Sequence, residues 1–161
     1  MMNSILRYVT WRAVLISAVV AGTLFLLVDL LLAPAVLQVS ASLMLRYFAA
    51  LVMGSGVLTQ TGTEILIVGA VVHYLLSFVF ALVIAIVVHR WGLLVGILGG
   101  AVLGLAFYAI NLYTLTVFFQ WFFAINSTVI VISHVVFGAV AGGVYEMFDH
   151  YDRPLTSTGG I

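Results

Sequence analysis

Four strongly polar side chains stand in otherwise apolar stretches of this sequence: Asp29, His73, Asn111 and His134. Burying such a group in hydrocarbon costs several kcal/mol unless it finds a partner, so each of the four invites a functional explanation. A carboxylate, an amide and two imidazoles can hydrogen-bond to one another, relay protons, or bind a metal or a haem iron. The helices that carry these residues decide which of these chemistries is available.

Composition predicts an integral membrane protein. The chain has 161 residues, of which 65% are hydrophobic and 6% are charged, whereas a soluble domain carries about 25% charged residues. The five basic and five acidic side chains are too few to cover a globule, so most of the surface must face lipid or another protein. With zero net charge and no basic run we expect no nucleic-acid binding, and the absence of cysteine excludes disulfides and thiolate metal sites.

Four apolar stretches are long enough to cross a bilayer, which takes about 20 helical residues. We predict spans at residues 13–34, 65–88, 92–113 or slightly beyond, and 127–148. The first should end at Pro34, because proline breaks helices. Arg7, Arg12 and the small residues around Pro34 would also suit a cleaved signal peptide. Its apolar stretch is longer than the roughly 7–15 residues of such a signal, so we expect a retained helix.

Residues 40–54 form a fifth apolar segment that is too short to span. Ser40 is a suitable N-cap, Gly54 is a suitable C-terminal stop, and Arg46 lies in the middle. We expect either an interfacial or re-entrant helix, or a lid over the mouth of the bundle. The predicted fold is an all-α integral membrane bundle of four transmembrane helices in residues 1–148, with this additional helix between the first two spans and a cytoplasmic tail at 149–161.

Arginine placement predicts the orientation. Arg7, Arg12, Arg90 and Arg153 fall on one side of the predicted membrane, and only Arg46 falls on the other. The positive-inside rule therefore places both termini in the cytoplasm.

Glycine spacing predicts close helix packing. In the third span glycines recur every fourth residue, which creates a groove where a second helix backbone can approach. The fourth span has a similar stripe that follows His134. The predicted packing residues are Gly92, Gly96, Gly100, Gly104, Gly138 and Gly142.

The four polar residues should form one layer in the outer half of the membrane. Asp29 and Asn111 lie near the outer ends of spans one and three, and the histidines lie roughly 8–13 Å below the outer ends of spans two and four at about 1.5 Å per residue. We expect Asp29 to hydrogen-bond one histidine and Asn111 the other. Glycines seven residues before Asp29 and Asn111 (Gly22 and Gly104) indicate a weak duplication of a two-helix hairpin.

Three interpretations of this layer remain open. The polar residues can be hydrogen-bonded packing groups that hold the helices in register. His73 and His134 can be the axial ligands of a b-type haem, or ligands of a metal site with Asp29 as a third ligand. Asp29 and the histidines can also relay protons or a small solute. We expect no cofactor, with haem b as the alternative.

Three segments carry a resemblance to known proteins: GAVVHYLLSFVFALV at 69–83, GILGGAVLGLAFY at 96–108, and SHVVFGAVAGGVYE at 133–146. They resemble uncharacterised bacterial four-helix inner-membrane proteins of the domain-of-unknown-function type, distantly similar to YagU-like proteins. The resemblance implies a four-helix fold in the bacterial inner membrane and implies no activity.

The functional prediction is a non-catalytic accessory or scaffold subunit of a larger membrane complex, for example a respiratory or photosynthetic one. It depends on the small extramembrane mass, the glycine faces, and the absence of nucleophile-elbow, P-loop or zinc-protease motifs. The expected partners are the lipid bilayer and other membrane subunits or a second copy of the chain. The alternative is a small haem-binding, proton-conducting or solute-conducting protein that uses the polar layer.

Overall fold

Five α-helices account for most of the chain in a computed structural model that describes residues 9–151, with side chains through Asp149. Arg7, Arg153 and the expected tail from residue 152 onward lie outside the described residues. The helices are α1 (Trp11–Leu37), α2 (Ala41–Met53), α3 (Thr63–Val88), α4 (Leu93–Phe118) and α5 (Thr128–Tyr151), with short 3-10 helices at Ser55–Thr59 and Gln120–Ile125. The described part contains no strand.

The four long helices α1, α3, α4 and α5 have the length and hydropathy of membrane spans. The shorter apolar helix α2 lies between the first two of them in the chain. The prediction of an all-α membrane bundle with four spans and one additional helix is therefore confirmed.

Two helix ends differ from the prediction. Helix α1 does not stop at Pro34 but continues to Leu37, where Gln38 adopts a left-handed conformation at φ 57°. Proline so close to the C-terminus removes only one hydrogen bond, because few further N–H groups need carbonyl partners beyond it. Helix α5 extends past Phe148 to Tyr151, so Asp149 belongs to the helix and accepts a hydrogen bond from Thr10.

Helix α5 is central to the bundle, because it packs along both α4 and α1. Helix α1 in turn packs against α3, whereas α3 and α4 contact each other least among sequential helix pairs. These two helices flank a gap in spite of the short turn that joins them. One contact across this gap is the stacked pair Phe80 and Phe107, whose ring centroids are 4.6 Å apart.

Glycines bring α4 and α5 into backbone contact. A Cβ atom added to Gly100 would collide with the backbone of Gly138, and one added to Gly104 would collide with the backbone carbonyl of His134. Gly96 lies against Gly142 in the same way. The resulting close approach maximises van der Waals contact where lipid supplies no hydrophobic driving force.

Gly92 is not part of this packing face, contrary to the prediction. It precedes α4 with a φ of +90°, and no atom lies within 4 Å of where its Cβ would be. Glycine is favoured here because the turn requires a left-handed conformation. Its N–H donates a hydrogen bond of 3.1 Å to Oε2 of Glu146, which ties the turn to α5.

Helix α2 closes one end of the bundle, which we name the α2 end. Ser40 accepts a hydrogen bond from the amide of Leu43, and Gly54 follows the last residue, as predicted. Arg46 donates to the carbonyl oxygens of Leu58 and Gln60, so a charged residue in an apolar helix serves to hold the following loop.

A polar cluster closes the opposite end, which we name the turn end. His89 Nδ1 lies 2.7 Å from the hydroxyl of Tyr145 and 3.7 Å from a carboxylate oxygen of Asp149. Asp149 also accepts from Thr10, so this cluster joins the beginning of α1, the end of α3 and the end of α5. The described chain therefore begins and ends at the same end of the bundle.

Candidate functional site

One cavity of about 230 Å³ is lined by all four polar residues identified in the sequence. Asp29 comes from α1, His73 from α3, Asn111 from α4 and His134 from α5, so each long helix contributes one of them. Helix α2 and the 3-10 helix Gln120–Ile125 complete the wall. The structure thus brings together residues that are up to 105 positions apart between Asp29 and His134.

Asn111 and His134 form the hydrogen bond expected between the third and fourth spans. The side-chain nitrogen of Asn111 lies 3.3 Å from Nε2 of His134, and Nδ1 of His134 lies 2.8 Å from the carbonyl oxygen of Ile130. A carbonyl only accepts, so Nδ1 carries the hydrogen in the neutral imidazole and Nε2 accepts from the amide. Both ring nitrogens of His134 are therefore occupied.

His73 has the opposite arrangement. Its Nε2 lies 2.8 Å from the carbonyl oxygen of Gly22 in α1, so this nitrogen donates. The close approach needs glycine, because a Cβ at Gly22 would lie 2.7 Å from the hydroxyl oxygen of Ser77. Within the described residues no hydrogen bond reaches Nδ1 of His73, which remains an acceptor in the cavity wall.

Asp29 does not hydrogen-bond a histidine, which corrects the prediction. Its partner is Ser133 of α5, the residue before His134. Helix geometry explains the difference, because residues 133 and 134 point about 100° apart. Ser133 meets α1 at Asp29, whereas His134 meets it one turn earlier, at Phe25. Asp29 is 0% exposed, and its second oxygen, Oδ2, has no hydrogen-bond partner among the described residues.

The hydrogen bonds of Ser133 indicate how Asp29 is accommodated. The serine oxygen contacts Oδ1 of Asp29 and also lies 2.9 Å from the carbonyl oxygen of Val129. A hydroxyl has one hydrogen, so Ser133 either shares it between the two oxygens or, when Asp29 carries a proton, accepts from Asp29 and donates to Val129. A neutral carboxyl at this position also avoids an isolated buried charge.

The present contacts of His73 and His134 would have to change before the two residues could hold a haem iron. The ring of Phe25 contacts both imidazoles, with centroid distances of 5.4 Å to His73 and 4.9 Å to His134. The Nε2 atom of each histidine is already hydrogen-bonded, to Gly22 and to Asn111. For a metal site with Asp29, the described residues contain no group of three or more histidine, cysteine, aspartate or glutamate side chains that could hold an ion.

Aromatic rings form most of the remaining wall. Phe48 of α2 packs edge-on against His73 at 4.8 Å. Phe122 approaches from the second 3-10 helix, and Phe119 from the junction between α4 and that helix. Helix α2 also supplies Tyr47, and burial raises the pKa of this phenol, so the hydroxyl stays neutral. The interior is therefore apolar apart from the Tyr47 hydroxyl and the polar residues contributed by the four long helices.

Several of these wall residues could not be predicted from the sequence. Phe25, Tyr47 and Phe48 read as ordinary apolar positions, and their role depends on how the helices are rotated. Ser133 was detectable in principle, because small hydroxyl residues in spans often hydrogen-bond across helices. The prediction paired Asp29 with a histidine, whereas its partner is Ser133, the residue next to His134.

No family model matches this chain, and neither a curated protein nor a solved structure matches it. The cavity and its polar residues are therefore the basis on which a function can be proposed.

Proposed function

We propose that this protein is a non-catalytic integral membrane protein that binds a small, mainly apolar molecule in the cavity between its four spans. The observation that carries the proposal is the unsatisfied hydrogen-bonding capacity in the cavity wall. Oδ2 of Asp29 and Nδ1 of His73 have no partner among the described residues. Polar groups that serve packing alone are almost always fully paired when buried. A bound molecule would supply the missing partners.

The gap between α3 and α4 provides a route from the bilayer. Leu76 of α3 and Leu115 of α4 line the cavity and remain partly exposed at this loosely packed pair. Leu51 of α2 and Phe119 do the same at the α2 end. All four side chains are apolar, so a molecule dissolved in lipid would meet no polar barrier on its way in.

Cavity size limits the ligand. The volume of about 230 Å³ exceeds the roughly 150 Å³ of an engineered cavity that takes up benzene. It falls below the roughly 300–1,000 Å³ of sites for drug-sized molecules. A single substituted aromatic ring, or an aliphatic group of similar size, would fill it.

A larger side chain at the entrance of the cavity should prevent ligand binding. We expect Leu76→Trp to abolish binding of para-fluorophenethyl alcohol to the purified protein, because the larger side chain occupies the route between α3 and α4. Fluorine NMR would separate the bound probe from probe dissolved in the detergent micelle. Leu75→Trp is the matched control, since Leu75 is 61% exposed and does not line the cavity. If wild type, control and Leu76→Trp give identical spectra, with no bound resonance in any of them, the binding proposal is wrong.

The role of accessory subunit remains a second proposal, now with less support. Gly96, Gly100 and Gly104 are occupied by α5 within the same chain, so they no longer argue for an external partner. The small extramembrane mass still supports an external partner. Purification from native membranes in a mild detergent tests it, and a chain that always migrates alone or only with itself would contradict it. The bacterial inner-membrane location, the cytoplasmic termini and the YagU-like resemblance likewise remain proposals.

A further inference from the structure

We infer that the cavity accepts a small lipophilic amine, which is held as its ammonium form against Asp29. This inference rests on the proposed function and names the chemical class of its ligand. It follows from three independent properties of the wall: the direction of its free hydrogen bonds, the charge it can compensate, and its aromatic rings.

Most of the polar atoms in the cavity wall that lack a partner are hydrogen-bond acceptors, so a ligand must supply donors. Nδ1 of His73 can only accept, because Nε2 donates to Gly22. Asn111 uses one of its two N–H groups on His134, which leaves one N–H as a donor and its side-chain carbonyl oxygen as an acceptor. Oδ2 of Asp29 is a further acceptor, either as the carbonyl oxygen of the neutral carboxyl or as an oxygen of the carboxylate. A ligand that offers only acceptors, such as a ketone or a quinone, would leave these acceptors unpaired.

Charge distinguishes an amine from an alcohol. Both offer donors, but only an ammonium group also neutralises the carboxylate of Asp29 inside an apolar cavity. A charge-assisted hydrogen bond is about twice as strong as a neutral one, and a low-dielectric surrounding strengthens it further. In the part of the chain that the structure describes, no lysine or arginine lines the cavity to compete for this carboxylate.

The proton balance of such a complex closes without another reactant. A neutral amine that arrives from lipid takes the proton of the Asp29 carboxyl onto its nitrogen lone pair, which leaves a carboxylate paired with an ammonium. The empty site and the occupied site are then both neutral overall, so no uncompensated charge is buried in either state. Ser133 turns its hydroxyl hydrogen toward either Asp29 or Val129 as the proton leaves.

Aromatic side chains favour the same ligand. Phe25 and Phe48 lie beside His73, and Phe137 packs against Phe25 at 6.2 Å. The face of an aromatic ring attracts a cation within about 6 Å. Asp29 itself is fully covered, so one of the side chains around it must move to let the ammonium group reach Oδ2. Side chains, unlike backbone, can make such a movement without rearranging the helices.

A matched pair of probes tests the inference: para-fluorophenethylamine and para-fluorophenethyl alcohol, which share their ring and chain length. We expect the wild-type protein to bind the amine at least about tenfold more tightly than the alcohol, as a hydrogen bond to a charged group would give. Asp29→Asn keeps the size of the side chain and can still bond to Ser133. It should abolish the preference for the amine while the alcohol still binds.

The control is Tyr74→Phe, which removes the 2.9 Å hydrogen bond between Thr23 and Tyr74 on a helix face outside the cavity. It should leave both affinities unchanged. If the wild type binds the alcohol as well as the amine, or binds para-fluorophenylacetate best, the amine is the wrong class although the binding site stands. If none of the three probes binds, the proposed function fails as well. Should Asp29→Asn not fold, the ranking of the three probes on the wild type still decides.

Discussion

His73 and His134 occupy similar positions in two hairpins, yet they use different ring nitrogens. His73 donates through Nε2 to Gly22, whereas His134 donates through Nδ1 to Ile130 and accepts at Nε2 from Asn111. Each bond to a carbonyl fixes which nitrogen is protonated in the neutral ring. The consequence is functional, because one histidine is fully satisfied and the other presents an open acceptor to the cavity.

We therefore predict opposite tautomers for the two histidines. Nitrogen NMR of selectively labelled protein should show His73 protonated at Nε2 and His134 protonated at Nδ1. Asn111→Leu should shift only the Nε2 signal of His134, because Asn111 is its partner. Identical tautomers in the two rings would contradict the hydrogen-bond arrangement on which the open acceptor at His73 depends.

Helices α4 and α5 show what the glycine stripe achieves at the scale of elements. Gly100 and Gly138 face each other, and each lies where a Cβ of the other would have to be. The first hairpin has a related contact, since Gly22 in α1 approaches His73 and Ser77 in α3. In both hairpins the glycine that precedes the polar residue by seven positions lies against the histidine of the following span.

Two neighbouring glycines of α4 should respond oppositely to alanine. Gly100→Ala places a methyl group against the backbone of α5 and should destabilise the bundle by roughly 1–3 kcal/mol, as overpacking does. At Gly99 the nearest atom to a new Cβ is 3.6 Å away, on Val88. Gly99→Ala should thus be neutral or stabilising by up to about 1 kcal/mol through helix propensity. Thermal unfolding in detergent would measure both, and equal effects would argue against a tight α4–α5 contact.

As a whole molecule, the bundle is closed differently at its two ends. The α2 end is covered by apolar and aromatic side chains of α2 and the second 3-10 helix, which border the cavity. The turn end is joined by polar contacts among Thr10, His89, Tyr145 and Asp149, which do not line it. An aqueous path along the bundle axis would have to cross both, whereas the α3–α4 gap is bordered by the apolar side chains of Leu76 and Leu115. Binding from the bilayer is thus easier to accommodate than conduction across it.

Single cysteines would test which end faces the cytoplasm, since the chain has no cysteine of its own. Gln60 and Trp91 are both exposed and lie in loops at opposite ends of α3. We expect a membrane-impermeant maleimide applied to spheroplasts to label Gln60→Cys and to spare Trp91→Cys until the membrane is opened. Labelling of both from one side would contradict the four-span bundle. A reversed pattern would leave the bundle intact and overturn the cytoplasmic assignment of the termini.

Local properties determined what the sequence alone could predict. Hydropathy and length predict the four spans, and the Ser40 cap with Gly54 predicts α2, because these signals depend only on neighbouring residues. The depth of Asp29, His73, Asn111 and His134 followed in the same way from counting residues along each helix. The end of α1 was predicted wrongly, because the apolar helix continues past Pro34 to Leu37.

Tertiary structure decided the partners. Depth says how far along a helix a side chain lies, but its direction depends on the rotation of each helix about its axis, which close packing of the whole bundle sets. Because of this rotation, Asp29 forms a hydrogen bond with Ser133 rather than with a histidine, and Phe25 contacts both imidazoles. The sequence thus determined which polar residues are buried together at one level. Only the packed helices decided that they surround a cavity, and which of their atoms have no hydrogen-bond partner among the described residues.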